Sequence, residues 1–327
     1  MGNSEALLYA LLIALLIAYA ITRIALLSIA FVVVFALLLA EETRRGLRTE
    51  GAKKTAKGIA EAIGVVVAIW LVAVIALGTL SPVDVVPSCS MLPQLRIGDL
   101  VVIRHIYNIA AFLSSHKVPV VNVSAAAYNS MLSNIKSEFV AYYAFLNGDK
   151  SEITYLVRPG ENYGIGLYNT ECLSEYSYFN ESSDFYKCML SNDSQQGNLI
   201  KYSYGIGNAT VNGTLYNIIY TKSITIGNET ITENYSNPII VYKTVPSDTF
   251  SGDIVHRVFA AIHAGSEYYL LTKGDNNQAL DIEFGNYPAS SSQVVGYVLA
   301  HVPYLGYITL AFKGGIDTAG CSQTILH

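Results

Sequence analysis

Charge is scarce in this chain of 327 residues. Asp, Glu, Lys and Arg make up 14% of it, where an ordinary soluble domain carries about a quarter. Beside a hydrophobic share of 52%, that scarcity argues against a plain soluble domain. Basic residues form no stripe outside one short loop and the net charge is -5, so nothing points to a nucleic-acid-binding face. Cysteine is also sparse. Cys89, Cys172, Cys188 and Cys321 are too few for a disulfide scaffold and show no C-x-x-C spacing. No His/Cys cluster has zinc spacing, so neither a metal nor another cofactor is expected. There is no internal repeat.

The apolar excess lies at the N-terminus. Residues 6–40 are almost wholly apolar, interrupted only by Arg23. As one straight helix they would reach roughly 50 Å, against a hydrocarbon core of about 30 Å. A hairpin of spans over 6–22 and 24–40 fits that length, with a single tilted helix as the alternative. A further span is expected over 62–80, with Glu61 at the membrane interface. The loop between, 41–58, carries Arg44, Arg45, Arg48, Lys53, Lys54 and Lys57. Such loops stay in the cytoplasm, so the last span delivers Ser81 onward to the outer side. The expectation is a cell-membrane protein, single- or multi-pass, with an extracytoplasmic domain. The N-terminus is too long for a cleaved signal peptide and is followed by a second span. Asn-x-Ser/Thr sequons cluster at Asn122, Asn180, Asn192, Asn208, Asn212, Asn228 and Asn234. They read either as a glycosylated outer surface or as a merely polar, Asn-rich region.

Beyond the anchor, DLVVIRH (99–105) has strand character. Composition then turns to Tyr, Asn and Ser over 106–236, with helix expected within 124–146 and β-hairpins from 198 to 236. Outside the cell, Cys172 and Cys188 are candidates for a disulfide. Apolar strands return in PIIVYK, DIVHRVFAAI, YYLLTK and VVGYVLA. The predicted organisation is an anchor over 1–80, a mainly β core from 81–105 and 237–327, and an α+β or β-rich domain inserted at 106–236. The stretch YVLAHVPYLGYITLAF (297–312) reads as a core strand pair or a surface touching lipid, not a span.

Three stretches carry chemistry. They are Ser88-Cys89-Ser90-Met91-Leu92-Pro93 with Gly98-Asp99, Gly252-Asp253-Ile254-Val255-His256-Arg257-Val258, and Lys273-Gly274-Asp275-Asn276-Asn277 with Asp281 beyond. A serine hydroxyl attacks a carbonyl only once a base takes its proton. Histidine suits that task near neutral pH, and a carboxylate fixes its tautomer. If residues 88–90 are extended, Ser88 and Ser90 share one face and Cys89 points away as a small buried hydrophobe. A Cys-His peptidase built on Cys89 is the alternative.

In that order, the stretches resemble the type I signal peptidases, and specifically the archaeal and endoplasmic-reticulum type, which carries histidine where bacterial members carry lysine. SxSMxP with GD resembles the nucleophile box, IVHRV the base box and KGDNN with the later Asp the third box. VPYLGYIT resembles the segment that closes the family's core. The resemblance covers 81–105 and about 237–312 and leaves out 106–236. It implies a signal peptidase/LexA-like β-fold, with Ser90 as nucleophile, His256 as base, Asp281 as the acid that orients the histidine and Asp275 as a nearby supporting acid, a division between the two acids that the sequence leaves open. It also implies that Ser88, with the backbone N–H of Ser90, binds the oxyanion. The chain departs from the family pattern at Cys89, Gln94 and Leu280. Lys273 lies in the third box, not at the base position.

The expected function is a membrane-anchored serine endopeptidase that cleaves signal peptides from exported preproteins. Met91, Leu92 and Pro93 are candidates for the substrate pocket. Preproteins, the lipid bilayer and the secretion translocon are the expected partners. The rival readings are a peptidase specialised for one surface protein and an inactive peptidase-fold glycoprotein acting as an interaction module.

Overall fold

The computed structural model describes residues 3–22, 25–49, 51–134, 144–145, 153–154, 194–196, 199–211, 214–248, 252–307, 309–310, 321 and 323–326. Over these residues the chain is rich in β-strand, with an apolar helix near the N-terminus. It divides into two compact units. One is Met1–Pro87, Ile97–Arg104 and Leu299–Gly315; the other is Ser88–Arg96, His105–Val298 and Ile316–His327.

The first unit contains helices α1 (Asn3–Thr22), α2 (Ala25–Thr49) and α3 (Ala52–Leu77), and strands β1 (Val83–Val85) and β2 (Leu100–Arg104). Among the described residues, α3 is the helix long and apolar enough to cross a membrane. Ile63, Val66, Ile69, Val72 and Ile75 are each more than half exposed along it, an all-round apolar surface that suits lipid. The basic segment expected as a loop over 41–58 is mostly helical, because α2 runs on to Thr49 and α3 begins at Ala52. Its Ala, Glu, Lys and Arg residues are good helix formers, and Arg44 and Lys57 pair with Glu41 and Glu61 one turn away. Gly51, at φ 79°, stands just before α3. Gly98 is held at φ +83° with the Tyr307 ring where a Cβ would stand, so that position admits only glycine. Asp99 beside it is buried and accepts from the Tyr304 backbone N–H at 3.1 Å. The strand pair expected over 297–312 is instead one strand ending at Val302, then a turn and the start of a helix.

The second unit is built from α4 (Ile109–Ser115), β3 (Val120–Val123), α5 (Ala125–Asn134), β4 (Ala144–Phe145), β5 (Ile153–Thr154), β6 (Ser194–Gln196), β7 (Ile200–Val211), β8 (Thr214–Ile226) and β9 (Glu229–Thr232). It continues with β10 (Ile239–Lys243), β11 (Asp253–Ala264), β12 (Glu267–Lys273), β13 (Ala289–Ser290), most of β14 (Val294–Val302), and β15 (Gln323–Leu326). Strands β10, β11, β12 and β13 pair antiparallel in succession, with β14 on the free edge of β10. β3 joins the far end of β11 in parallel. A second sheet is centred on the long β7–β8 hairpin, flanked by β15, β4, β6 and β9.

β11 is buried along almost its whole length because both its faces are covered. Val258 and Ala261 pack with Phe112, Leu113, Ile240, Tyr242 and Leu270. Phe259, Ala260 and Ile262 pack with Tyr202, Tyr204, Ile224 and Ile226 of the β7–β8 hairpin. A strand buried on both faces reads as a continuous apolar run, as DIVHRVFAAI does. Residues 106–236, expected as an inserted domain, therefore contribute β3 to the central sheet and the hairpin to a shared core. Sequons at Asn122, Asn208, Asn228 and Asn234 are exposed. Asn180, Asn192 and Asn212, and the cysteines Cys172 and Cys188, lie outside the described residues.

Candidate active site

Three segments of the second unit converge on one histidine. His256 sits near the start of β11, 8% exposed. Its Nε2 lies 2.9 Å from Ser90 Oγ. Its Nδ1 lies 2.8 and 2.7 Å from the two carboxylate oxygens of Asp281. An ionised carboxylate can only accept, so Nδ1 carries the proton and Nε2 is left as the acceptor for the serine O–H. That is the tautomer a general base needs.

Asp281 opens a 3₁₀ turn, Asp281–Phe284, and is almost wholly buried. Two hydroxyls hold its Oδ2 from behind: Thr272 donates at 2.6 Å and Tyr242 at 2.9 Å. Burial first, and the Asp281 charge second, push the Tyr242 phenol well above its usual range, so it remains a donor. Neither residue was singled out from sequence. The only hint is Thr272, a hydroxyl interrupting the apolar run YYLLTK at a buried position.

Ser90 lies in a bend and turn rather than an extended stretch, because Leu92 N–H closes back onto Cys89 C=O at 3.2 Å. The Ser88 and Ser90 hydroxyls still meet, at 3.3 Å. Cys89 does point elsewhere, but it is not a lone buried hydrophobe: it forms a disulfide with Cys321. A thiol held in a disulfide is no nucleophile, and a Cys-His peptidase built on Cys89 is excluded in this state. Of the pocket candidates, Met91 is 1% exposed, Leu92 half-buried and Pro93 exposed.

Asp275 is not brought to His256. It forms a two-pronged pair with Arg257, with Nε–Oδ1 at 2.8 Å and Nη2–Oδ2 at 2.7 Å. Arg257 spends its remaining donor group on the Tyr235 and Asn237 carbonyls at 2.7 and 2.6 Å. The two neighbours His256 and Arg257 point to opposite faces of β11, as strand alternation requires, so the acid beside one cannot serve the other. What Asp275 does is anchor the turn that carries Asn276. The Asn276 backbone N–H donates to Ser90 C=O at 2.7 Å, and its side chain donates to Cys89 C=O at 3.1 Å. A Cβ on Gly274 would stand 2.6 Å from Ser90 C=O, so glycine lets this turn press against the serine backbone. Lys273 is buried and paired with Glu233 at 2.8 Å, not aimed at Ser90. Asp275→Ala is expected to lower the unfolding free energy by about 3–5 kcal/mol, because it strands a buried guanidinium. A chemical-denaturation midpoint equal to wild type would refute that.

The three side chains form one hydrogen-bonded series through the histidine. The chain is similar to curated signal peptidase subunits. It is 39% identical over 89 residues to the signal peptidase complex catalytic subunit SEC11 of Colletotrichum graminicola, which is 24% of this chain and 46% of the relative. It is 37% identical over 75 residues to that of Verticillium alfalfae, covering 22% and 42%. The Scheffersomyces stipitis protein is 37% identical over 83 residues, covering 22% and 50%. Its curated homologues are signal peptidase catalytic subunits. The chain spans about half the length of these relatives. No family model matches the sequence, and no solved structure matches the fold.

Proposed function

We propose that this chain is a membrane-anchored serine endopeptidase of the signal peptidase β-fold, which removes signal peptides from exported preproteins. One observation carries the reading: Ser90, His256 and Asp281 stand in hydrogen-bonded series, at 2.9 Å and 2.7 Å. His256 takes the Ser90 proton as Oγ attacks the scissile carbonyl, and Asp281 holds the resulting imidazolium in place. His256 then protonates the leaving amine. It next activates the water that releases the acyl group from Ser90. Ser88, whose hydroxyl reaches that of Ser90, is assigned to the oxyanion together with the Ser90 backbone N–H.

The apolar helix α3 leads towards Ser90 in sequence and supports a bilayer anchor. The Cys89–Cys321 disulfide fits an oxidising, extracytoplasmic compartment. The exposed sequons there are glycosylation sites on this reading. The substrate binds as an extended strand, with small side chains at its -1 and -3 positions, and the translocon is the source of the preproteins. The chain in proteoliposomes should cut a preprotein with alanine at -1 and -3 once, after -1. It should leave the same preprotein with phenylalanine at -1 intact. Failure to cut the alanine substrate would overturn the proposal.

A further inference from the structure

The resemblance to signal peptidases leaves 106–236 without a role, and Glu283 was assigned none. Yet among the described residues of the second unit the most deeply buried acid is Glu283, with 0% exposure, two residues beyond Asp281. Its Oε2 accepts from the Leu280 backbone N–H at 2.8 Å, the residue just before the acid. The Glu283 N–H returns a bond to Leu280 C=O at 2.9 Å, so the side chain and backbone of Glu283 both close the turn around Asp281.

The other partners of that carboxyl come from the β7–β8 hairpin. Thr221 Oγ1 lies 3.0 and 2.9 Å from its two oxygens, and Tyr204 OH lies 3.3 Å away. The hairpin also binds the approach to the turn, since Thr221 N–H donates to Gln278 C=O at 2.7 Å. On either side of the acid, Leu280 and Ile282 are buried in the core that the hairpin lines with Tyr202, Ile224 and Ile226.

We infer that Glu283 is a positioning residue, through which the β7–β8 hairpin sets the orientation of Asp281 against His256. The hairpin is then a structural part of the catalytic apparatus, and this rests on the hydrolase reading above. A carboxyl is suited to the task because it can accept from the backbone N–H and both hydroxyls at once. Burial pushes Glu283 up to about 7, opposed by the hydrogen bonds and by the Lys273 charge. A glutamine oxygen can still accept from the Leu280 N–H, and the Thr221 and Tyr204 hydroxyls can turn to accept from its NH₂ group, so a neutral amide of the same shape should keep the pin.

The test uses the full chain in proteoliposomes with the alanine preprotein, each variant assayed well below its own melting temperature. Glu283→Ala should lower kcat about tenfold or more with KM unchanged. Glu283→Gln should restore most of it. Thr221→Val, which removes only the hydroxyl, should lower kcat several-fold and serves if Glu283→Ala does not fold. In parallel, the low-field proton resonance of the His256 Nδ1–H, recorded in a Ser90→Ala background, should move in Thr221→Val. Wild-type kcat together with an unmoved resonance in Thr221→Val would overturn the inference. Because the resonance needs no substrate, it reads the Asp281–His256 contact even if the preprotein is not cut. Failure of the peptidase reading and failure of the positioning role are thereby told apart.

Discussion

Ser90→Ala should abolish preprotein cleavage, with kcat falling about 10⁵- to 10⁶-fold. The size follows from the absence of a substitute. Ser88 Oγ is 3.3 Å from Ser90 Oγ, but the hydroxyl on His256 Nε2 is that of Ser90, at 2.9 Å. The neighbouring thiol is tied to Cys321. Neither neighbour can inherit the base. Turnover by Ser90→Ala within about tenfold of wild type, measured by the rate of mature-protein appearance, would sink the mechanism. The fold should tolerate the change, because what holds this turn is its backbone: Asn276 donates to the carbonyls of Ser90 and Cys89.

Asp281→Asn should lower kcat about 10⁴-fold with little change in KM. The amide keeps the shape but presents both a donor and an acceptor. Thr272 and Tyr242 hydroxyls both donate towards Oδ2, so they draw the amide oxygen to their side. The NH₂ group then faces His256 Nδ1 and selects the tautomer with its proton on Nε2, which cannot accept from Ser90. The contrast with Asp275 is the sharper part of the prediction. Both acids are buried, 2% and 4% exposed, but only Asp281 touches the histidine, so its loss is read in turnover and that of Asp275 in stability. A kcat for Asp281→Asn within tenfold of wild type would remove it from the role.

The candidate site was legible because each part of it is local. The three boxes are short and the expected strands around His256 are present as β10, β11 and β12. Asp275 and Asp281 could not be separated in sequence, since both follow the same strand. What separates them is the partner each meets, Arg257 or His256, on opposite faces of β11. Other features were hidden because they join distant segments. β3 pairs in parallel with β11 across about 140 residues, and periodicity carries no record of a partner that far away. The Glu283–Thr221 contact spans 62 residues, and the Cys89–Cys321 bond 232. The helical continuation of α2 was missed for a different reason. A run of basic residues marks the side of the membrane, but the same residues are also good helix formers.

On the proposed reading of a bilayer anchor, the Cys89–Cys321 bond also constrains how the chain threads the membrane. Two residues joined covalently occupy one compartment, so the stretch between them crosses the membrane an even number of times, zero included. A single crossing anywhere from 90 to 320 is thereby forbidden, and the apolar run at 297–312 cannot carry Cys321 to the far side on its own. Whichever face of the membrane receives Ser90 receives residue 321 with it.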